Sequence, residues 1–329
     1  MYTLGIETSC DETSAAVLKG YKVLSNITIS SLHQHKKYGG VVPEIATRAH
    51  LANIDKVTSL ALKESGCNFK RLKLVAVTKN PGLIGALVVG MNFAKALSLS
   101  LNLPLVGVNH LHAHLFAPFL NNLKELRFPF LGVVVSGGHS EFYMVKDFDC
   151  LSIIGQTRDD ACGEVYDKLS VNYGFSYPGG PVIDRLYNPR YKKSFHFKCG
   201  KMGYDLSFSG IKTALIYKKK ELSKSGKLDL RTKKKLLSSF QYSVIETIIS
   251  TVLEIAKDTG VRRIVFGGGV VANSLLRQRL LEVSSQGLRV FLPDLEYSAD
   301  NAAIVAGLGF YLYNKKGLKH SLGLKPESN

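Results

Sequence analysis

The chain states one short plan twice, and that repetition limits the folds open to it more than any other feature. LGIETSCDETSAAVL, from Leu4, reads as an apolar strand, a small polar turn and a second strand; LGVVVSGGHSEFYMV, from Leu131, repeats the order. The echo continues downstream. Leu74, Val75, Ala76, Val77 and Thr78 run into KNPGLIG and an apolar helix rich in small residues, while Arg263, Ile264, Val265 and Phe266 run into GGGVVAN and another helix. Short apolar runs closed by glycine and alternating with helical periods predict an α/β fold of two duplicated lobes facing each other across a cleft. The expected division is a first lobe over 1–120, a second over 121–300, and a segment over 301–329 whose helix packs back on the first.

Between the repeats the best periodic segment is a core helix: Leu237, Phe240, Val244, Ile248, Val252 and Ile255 recur at three or four, and Gly260 stands where a C-cap belongs. The formal net charge of +17 is unevenly spread. From 185 to 235, sixteen Lys and Arg face three acids, a local charge of +13, expected as a basic insertion. A single run such as Lys218-Lys219-Lys220 is usually a solvated face. Its recurrence at Lys192-Lys193 and at Lys233, Lys234 and Lys235 points to a polyphosphate partner, because each neutralised phosphate releases a counterion. The five cysteines are scattered with no C-x-x-C pair, so reduced thiols are expected rather than a disulfide frame or a zinc ribbon. No uninterrupted apolar run approaches the ~20 residues of a membrane span, and MYTLGIETSCDET lacks the basic and apolar regions of a signal peptide, so a cytoplasmic protein with no membrane partner is expected.

Two constellations carry chemistry. His110-Leu111-His112-Ala113-His114 follows an apolar strand, and if it opens a helix, His110 and His114 lie one turn apart on one face, with His112 pointing elsewhere. Such a pair is either two satisfied core histidines or a metal clamp. The glutamate of an H-E-x-x-H protease is missing, because Leu111 follows His110. A divalent ion needs a further ligand, for which Asp300 in SADNAAIVA is the candidate; its place before an Ala-rich helix equally suits an N-cap. The other constellation is five small polar turns, TSCDET, NPGLIG, SGGHS, YPGGP and GGGVVAN, with the acids Asp11, Glu12, Asp159, Asp160 and Asp167 nearby. Exposed backbone N–H groups in such turns admit phosphate without a Walker lysine, so an interlobe nucleotide site is expected.

Taken together these motifs resemble the tRNA threonylcarbamoyladenosine transferases, the bacterial TsaD family. GIETSCDET, YGGVVPE, the His110/His114 pair, VSGGHS, DDACGEVYDK, YPGGP, SFSGIKT, GGGVVAN and DNAAIVA carry the resemblance in order along nearly the whole chain. It implies the actin-like and sugar-kinase-like (ribonuclease H-like) duplicated fold. It also implies one metal, iron or zinc, held by His110, His114 and Asp300 from the two lobes. Substrate contacts are implied at Val134, Val135, Ser136, Gly137, Gly138, Asp167, Gly180 and Asn273, with Asp184 on the ribose. Three positions depart from the family pattern: Gln156 stands where glutamate is common, Asn109 where a second histidine is common, and Lys325-Pro326 where the tail is usually Arg-Pro-Arg.

The activity implied is transfer of threonylcarbamoyl from threonylcarbamoyl-AMP to the exocyclic amine of the adenosine 3′ of the anticodon. The amine is a poor nucleophile, its lone pair being delocalised into the ring, so a proton acceptor and a polarised carbonyl are needed. Asp11 is the candidate acid/base; it equally suits an ordering role in the first turn. Implied partners are tRNA, a paralogous subunit of the same fold and a small ATPase, with adenylate or ATP/ADP bound. The rivals are an ATP-dependent small-molecule kinase of the same fold, which would use Mg²⁺ on oxygen ligands, and a non-catalytic nucleotide-gated scaffold.

Overall fold

Apolar alternation at the N-terminus closes a three-stranded meander: β1 (Tyr2–Glu7), β2 (Glu12–Lys19) and β3 (Lys22–Ser30), each antiparallel to the one before. The computed structural model describes residues 1–120, 122–226, 228–285 and 287–327. Asn121, where the second lobe was expected to begin, Lys227 of the basic segment, and Ser328 and Asn329 lie outside the described residues. After the meander come α1 (Leu32–His35), α2 (Pro43–Glu64), β4 (Leu72–Asn80), α3 (Ile84–Leu101), β5 (Leu105–Asn109) and α4 (His110–Phe116). β4 and β5 add in parallel, which gives the sheet order β3-β2-β1-β4-β5.

The same arrangement follows in the second half. β6 (Phe130–Val135), β7 (Ser140–Asp147) and β8 (Cys150–Gln156) form an antiparallel meander. Next come α5 (Cys162–Asn172), α6 (Gly179–Leu186), the small β9 (Gly200–Met202) and β10 (Asp205–Ser207) hairpin, α7 (Ser209–Leu222) and α8 (Leu230–Thr259). β11 (Arg263–Gly267), α9 (Ser274–Ser284) and β12 (Arg289–Phe291) complete the order β12-β11-β6-β7-β8, with β11 and β12 parallel to β6. Pairing sense and order match the first sheet strand for strand, so the written repeat is a structural repeat.

Chain contacts define two units, Met1–Arg127 with Pro293–Asn329, and Phe128–Leu292. The last helix, α10 (Ala302–Lys316), packs in the first unit against β1, β2, β4 and α4. Residues 293–300, expected in the second lobe, also belong to the first unit, because Asp300 pairs with His110 and His114 and the Ala302 N–H donates to Ser14 Oγ at 2.9 Å. Close packing of α10 needs two glycines: a Cβ on Gly5 would lie 2.3 Å from the Ala302 carbonyl oxygen, and one on Gly309 would lie 2.4 Å from Ala76 Cβ.

In the second unit α8 buries Leu237, Phe240, Val244, Ile248, Val252 and Ile255 and ends on Gly260 in the left-handed region, φ 71°. Each such side chain contributes about 1.5–3 kcal/mol through burial. α3 and α8 reach the length and apolarity of a membrane span, and 67% of the apolar window of α8 is buried inside the protein, as expected of a core helix.

Candidate metal centre and nucleotide pocket

β5 ends at Asn109, whose Oδ1 accepts the His112 N–H at 3.0 Å and caps α4. The position that departs from the family pattern is therefore the residue that starts the histidine helix. With the helix begun there, His110 and His114 fall one turn apart, their rings edge to face at 4.6 Å between centroids. His112 is half-buried and outside the pair, its pKa pushed down to about 4 by burial and by Lys79.

Asp300 completes the group. The cap of α10 is Asn301, whose Oδ1 accepts the N–H of Ala303 at 3.1 Å and of Ile304 at 3.2 Å. The capping alternative for Asp300 is thus corrected: its neighbour takes that work and leaves its carboxylate free. Asp300 Oδ1 lies 3.1 Å from His114 Nε2 and 3.4 Å from His110 Nε2. The three ligand atoms fall within 4.8 Å of one another, and among the described residues no other trio of His, Cys, Asp and Glu converges this way. All three belong to the first unit, a correction to their expected origin in two lobes.

The donor set fits a divalent cation. Two imidazole nitrogens, at 3.1 and 3.4 Å, aim at one carboxylate oxygen, so three ligand atoms converge on one point where a cation would meet them all. Nitrogen, nitrogen and oxygen suit zinc or ferrous iron better than magnesium. Behind His110 stands Glu7, fully buried at the end of β1. Its Oε1 accepts the Ser9 N–H at 2.5 Å; its Oε2 accepts Thr78 Oγ1 at 2.5 Å and lies 3.2 Å from His110 Nδ1. A proton held on Nδ1 by this carboxylate would leave the Nε2 lone pair for a cation when one is bound; without one, Nε2 carries a proton toward Asp300. Glu7 was not singled out in the sequence, although an acid closing an otherwise apolar strand is a signal of a paired buried charge.

Charge is concentrated here. Burial opposes a charge on His110, and Asp300 and Glu7 overcome it, raising its pKa; burial likewise works against the Asp300 carboxylate, and the two histidines outweigh it and hold its pKa low. Glu12 lacks such cations: burial first, then Asp300 and Asp11, push its carboxyl up to about 10. Asp11 is buried beside it, and its Oδ2 has no hydrogen-bond partner.

The second unit holds a cavity of about 360 Å³ that gathers three of the five turns: Gly137 from SGGHS, Gly180 from YPGGP, and Gly269 and Asn273 from GGGVVAN, with Asp167 and Asp184. Asp167 Oδ1 accepts the Gly179 N–H at 2.6 Å and so holds the start of α6. Asp184 accepts Gln241 Nε2 at 3.0 Å and the Ser274 N–H and hydroxyl at 3.0 and 2.9 Å; Gln241 Oε1 in turn accepts Asn273 Nδ2 at 3.1 Å. The turn glycines sort into two kinds. Gly268, at φ 94°, would place a Cβ 2.4 Å from the Val135 carbonyl oxygen and is a packing glycine; Gly137, Gly138, Gly180 and Gly269 face open space.

The other expected residues lie elsewhere. Val134 and Val135 are buried in β6, and Ser136 Oγ accepts the His139 N–H at 3.1 Å within its own turn. TSCDET and NPGLIG pack on each other, the Leu83 N–H donating to the Ser9 carbonyl at 2.8 Å. Asp159 accepts the N–H groups of Phe208 and Ser209 at 2.8 and 3.1 Å, while Asp160 pairs with Lys168 at 2.7 Å and Lys212 at 2.5 Å. These two acids tie α5 to the start of α7 and do not line the cavity.

The TsaD family pattern, described as tRNA N6-adenosine threonylcarbamoyltransferase, matches residues 22–307. A protein of that name from Thermosipho africanus is 44% identical over 333 residues, covering 100% of this chain and 99% of the relative. Its namesake from Thermodesulfovibrio yellowstonii is 45% identical over 318 residues, 96% and 94% of the two chains. Among solved structures, full-length HypF in its phosphate- and nucleotide-bound form superposes with a TM-score of 0.63 at 14% identity, over 98% of this chain and 56% of that one. That likeness establishes the fold, an actin-like and sugar-kinase-like pair of α/β units. Sequence identity over the full length establishes more: the chain belongs to the TsaD family of tRNA N6-adenosine threonylcarbamoyltransferases.

Proposed function

We propose that this chain transfers the threonylcarbamoyl group from threonylcarbamoyl-AMP to the exocyclic amine of the adenosine 3′ of the anticodon, in tRNAs that read codons beginning with A. The observation that carries the reading is the convergence of His110, His114 and Asp300, brought together across 186 residues, in a chain of this family. Two imidazoles and one carboxylate also weigh against the kinase alternative, which needs an oxygen-ligated magnesium site.

His110, His114 and Asp300 would hold one divalent ion, iron or zinc, with Glu7 setting the ring of His110. When bound, the ion supplies Lewis-acid polarisation of the threonylcarbamoyl carbonyl. The second unit's cavity takes the adenylate: backbone at Gly137, Gly180 and Gly269 approaches the phosphate, Asn273 lies beside it, and Asp184 accepts a ribose hydroxyl. Val134, Val135, Ser136 and Gly138 support this wall through the β6 end and its turn. Asp11, with one oxygen buried and unpartnered, takes the proton from the attacking amine as the carbon–nitrogen bond forms, and AMP leaves with the electron pair of its bond to the carbonyl. The reaction runs in the cytoplasm on tRNA, with a paralogous same-fold subunit and a small ATPase as partners.

Mass spectrometry of tRNA nucleosides after transfer by the purified chain, supplied with adenylate and those partners, is the direct test. Threonylcarbamoyladenosine is the expected product, and its continued presence in cells depleted of this chain, with no second enzyme, overturns the reading. For Asp11, single-turnover transfer by Asp11→Ala with adenylate bound is expected to fall roughly 100- to 10,000-fold; a wild-type rate removes Asp11 from the chemistry.

A further inference from the structure

We propose that the slot between the segment around Phe195–Phe197 and α7 stacks one unstacked nucleotide of the tRNA, a proposal that rests on the functional reading above. The slot is a groove of about 480 Å³ in the second unit, lined by Phe195, His196, Phe197, Tyr217, Lys218 and Glu221. Phe195 and Phe197 lie nearly parallel, 25° between planes and 6.2 Å between centroids. Across from them Tyr217 is 66% exposed, an aromatic ring that the fold leaves in water.

The segment is held in shape. The Phe195 N–H donates to Ser239 Oγ at 3.1 Å, and that hydroxyl donates to the Tyr191 carbonyl at 2.9 Å, so α8 pins the loop. Phe195 and Phe197 also rest against the core. A slot already ordered loses little entropy when occupied.

Charge selects the occupant. Lys192 and Lys193 precede the segment, Lys198 follows it, and Lys220 lies 5.9 Å from the Tyr217 ring. Glu221 is the one acid in the lining and holds Lys218 along the rim at 2.8 Å; Lys192 and Lys193 lie over the Tyr242 ring, and Lys220 over Tyr217. Aromatic rings interleaved with cations match a nucleotide, whose base stacks while its phosphates meet the lysines. An acidic peptide would satisfy the lysines but has no flat ring for the groove.

Equilibrium binding of unmodified tRNA to the full chain over a salt series tests the slot. Tyr217→Ala is expected to weaken binding roughly 5- to 150-fold with the salt slope unchanged, since no charge is removed. Tyr217→Phe, which keeps the ring, is expected to bind as wild type, and Lys220→Gln, beside that ring, to reduce the slope by about 0.7. Wild-type affinity in Tyr217→Ala, or equal losses in the Ala and Phe variants, overturns the slot while the functional reading stands. Displacement by polyglutamate without any effect of Tyr217→Ala on tRNA assigns the groove to an acidic protein instead and also overturns it. A wild-type chain that, supplied with adenylate and its partner subunits, transfers nothing to tRNA removes the functional reading itself.

Discussion

The two sheets share one topology and one pairing sense, yet their first strands end differently. β1 ends in Glu7, a buried carboxylate that reaches His110; β6 ends in Val135, a buried apolar residue whose backbone carbonyl lies against Gly268. The charged strand end in the first unit stands beside two imidazoles and a second carboxylate, a group that could hold a cation. A neutral strand end in the second leaves the following turn to glycine backbone, which suits a phosphate and its nucleoside. Duplication supplied the frame, and the residue types at equivalent strand ends divided the chemistry.

The sharpest way to break this division is to remove one ligand. His114→Ala and Asp300→Ala are each expected to lose the metal by elemental analysis and to lower transfer at least 100- to 1,000-fold, with adenylate affinity of the second unit's cavity retained. Metal retained in either variant would mean that the donor set is wrong. One step back, Glu7→Gln is expected to keep the fold but weaken metal affinity about 10- to 100-fold by competition with a chelator, because the amide no longer fixes the proton on His110 Nδ1.

In the other unit Asp184→Ala is expected to weaken adenylate binding about tenfold while metal content stays at wild-type level, since its carboxylate orders Gln241 and Ser274 beside Asn273. Loss of metal in that variant would contradict the division of labour. The smallest effect concerns stability. Asp160→Ala is expected to cost about 1–3 kcal/mol by denaturant titration, through loss of its bonds to Lys168 and Lys212. Burial alone would raise the Asp160 pKa, but Lys168, then Lys212 and Ser209, hold it below the ordinary carboxylate value. Its contribution is therefore present at every pH above that ordinary value near ~4 and fades only as pH falls further toward the folded pKa. The gap between wild type and variant is expected to be constant from neutral pH to about 5 and to narrow in stronger acid.

Much of this was legible in the residues. The strand–turn–strand repeat became two matching sheets, and the period of α8 with its terminal Gly260 read as a core helix because burial and helical spacing are local. The His110/His114 pair was legible for the same reason: one helical turn sets their separation. The glycine turns were legible only as a group, since Gly268 and Gly269 are chain neighbours with opposite duties, one packed on Val135 and one open to the cavity.

By itself the sequence determined the duplicated α/β plan, the helical pairing of two histidines and the motifs of the family, all of which depend on spacing within a few residues. Only the tertiary structure decided that Asn301 caps α10 and frees Asp300, that Glu7 stands behind His110, and that the whole triad belongs to the unit formed by the two ends of the chain. The cap is local, but what Asp300 and Glu7 then meet rests on contacts between distant segments, such as the 103 residues separating Glu7 from His110 and the 186 separating His114 from Asp300. Periodicity and propensity act over a few residues and carry no record of such distances; packing of α10 on β1 and β4 does.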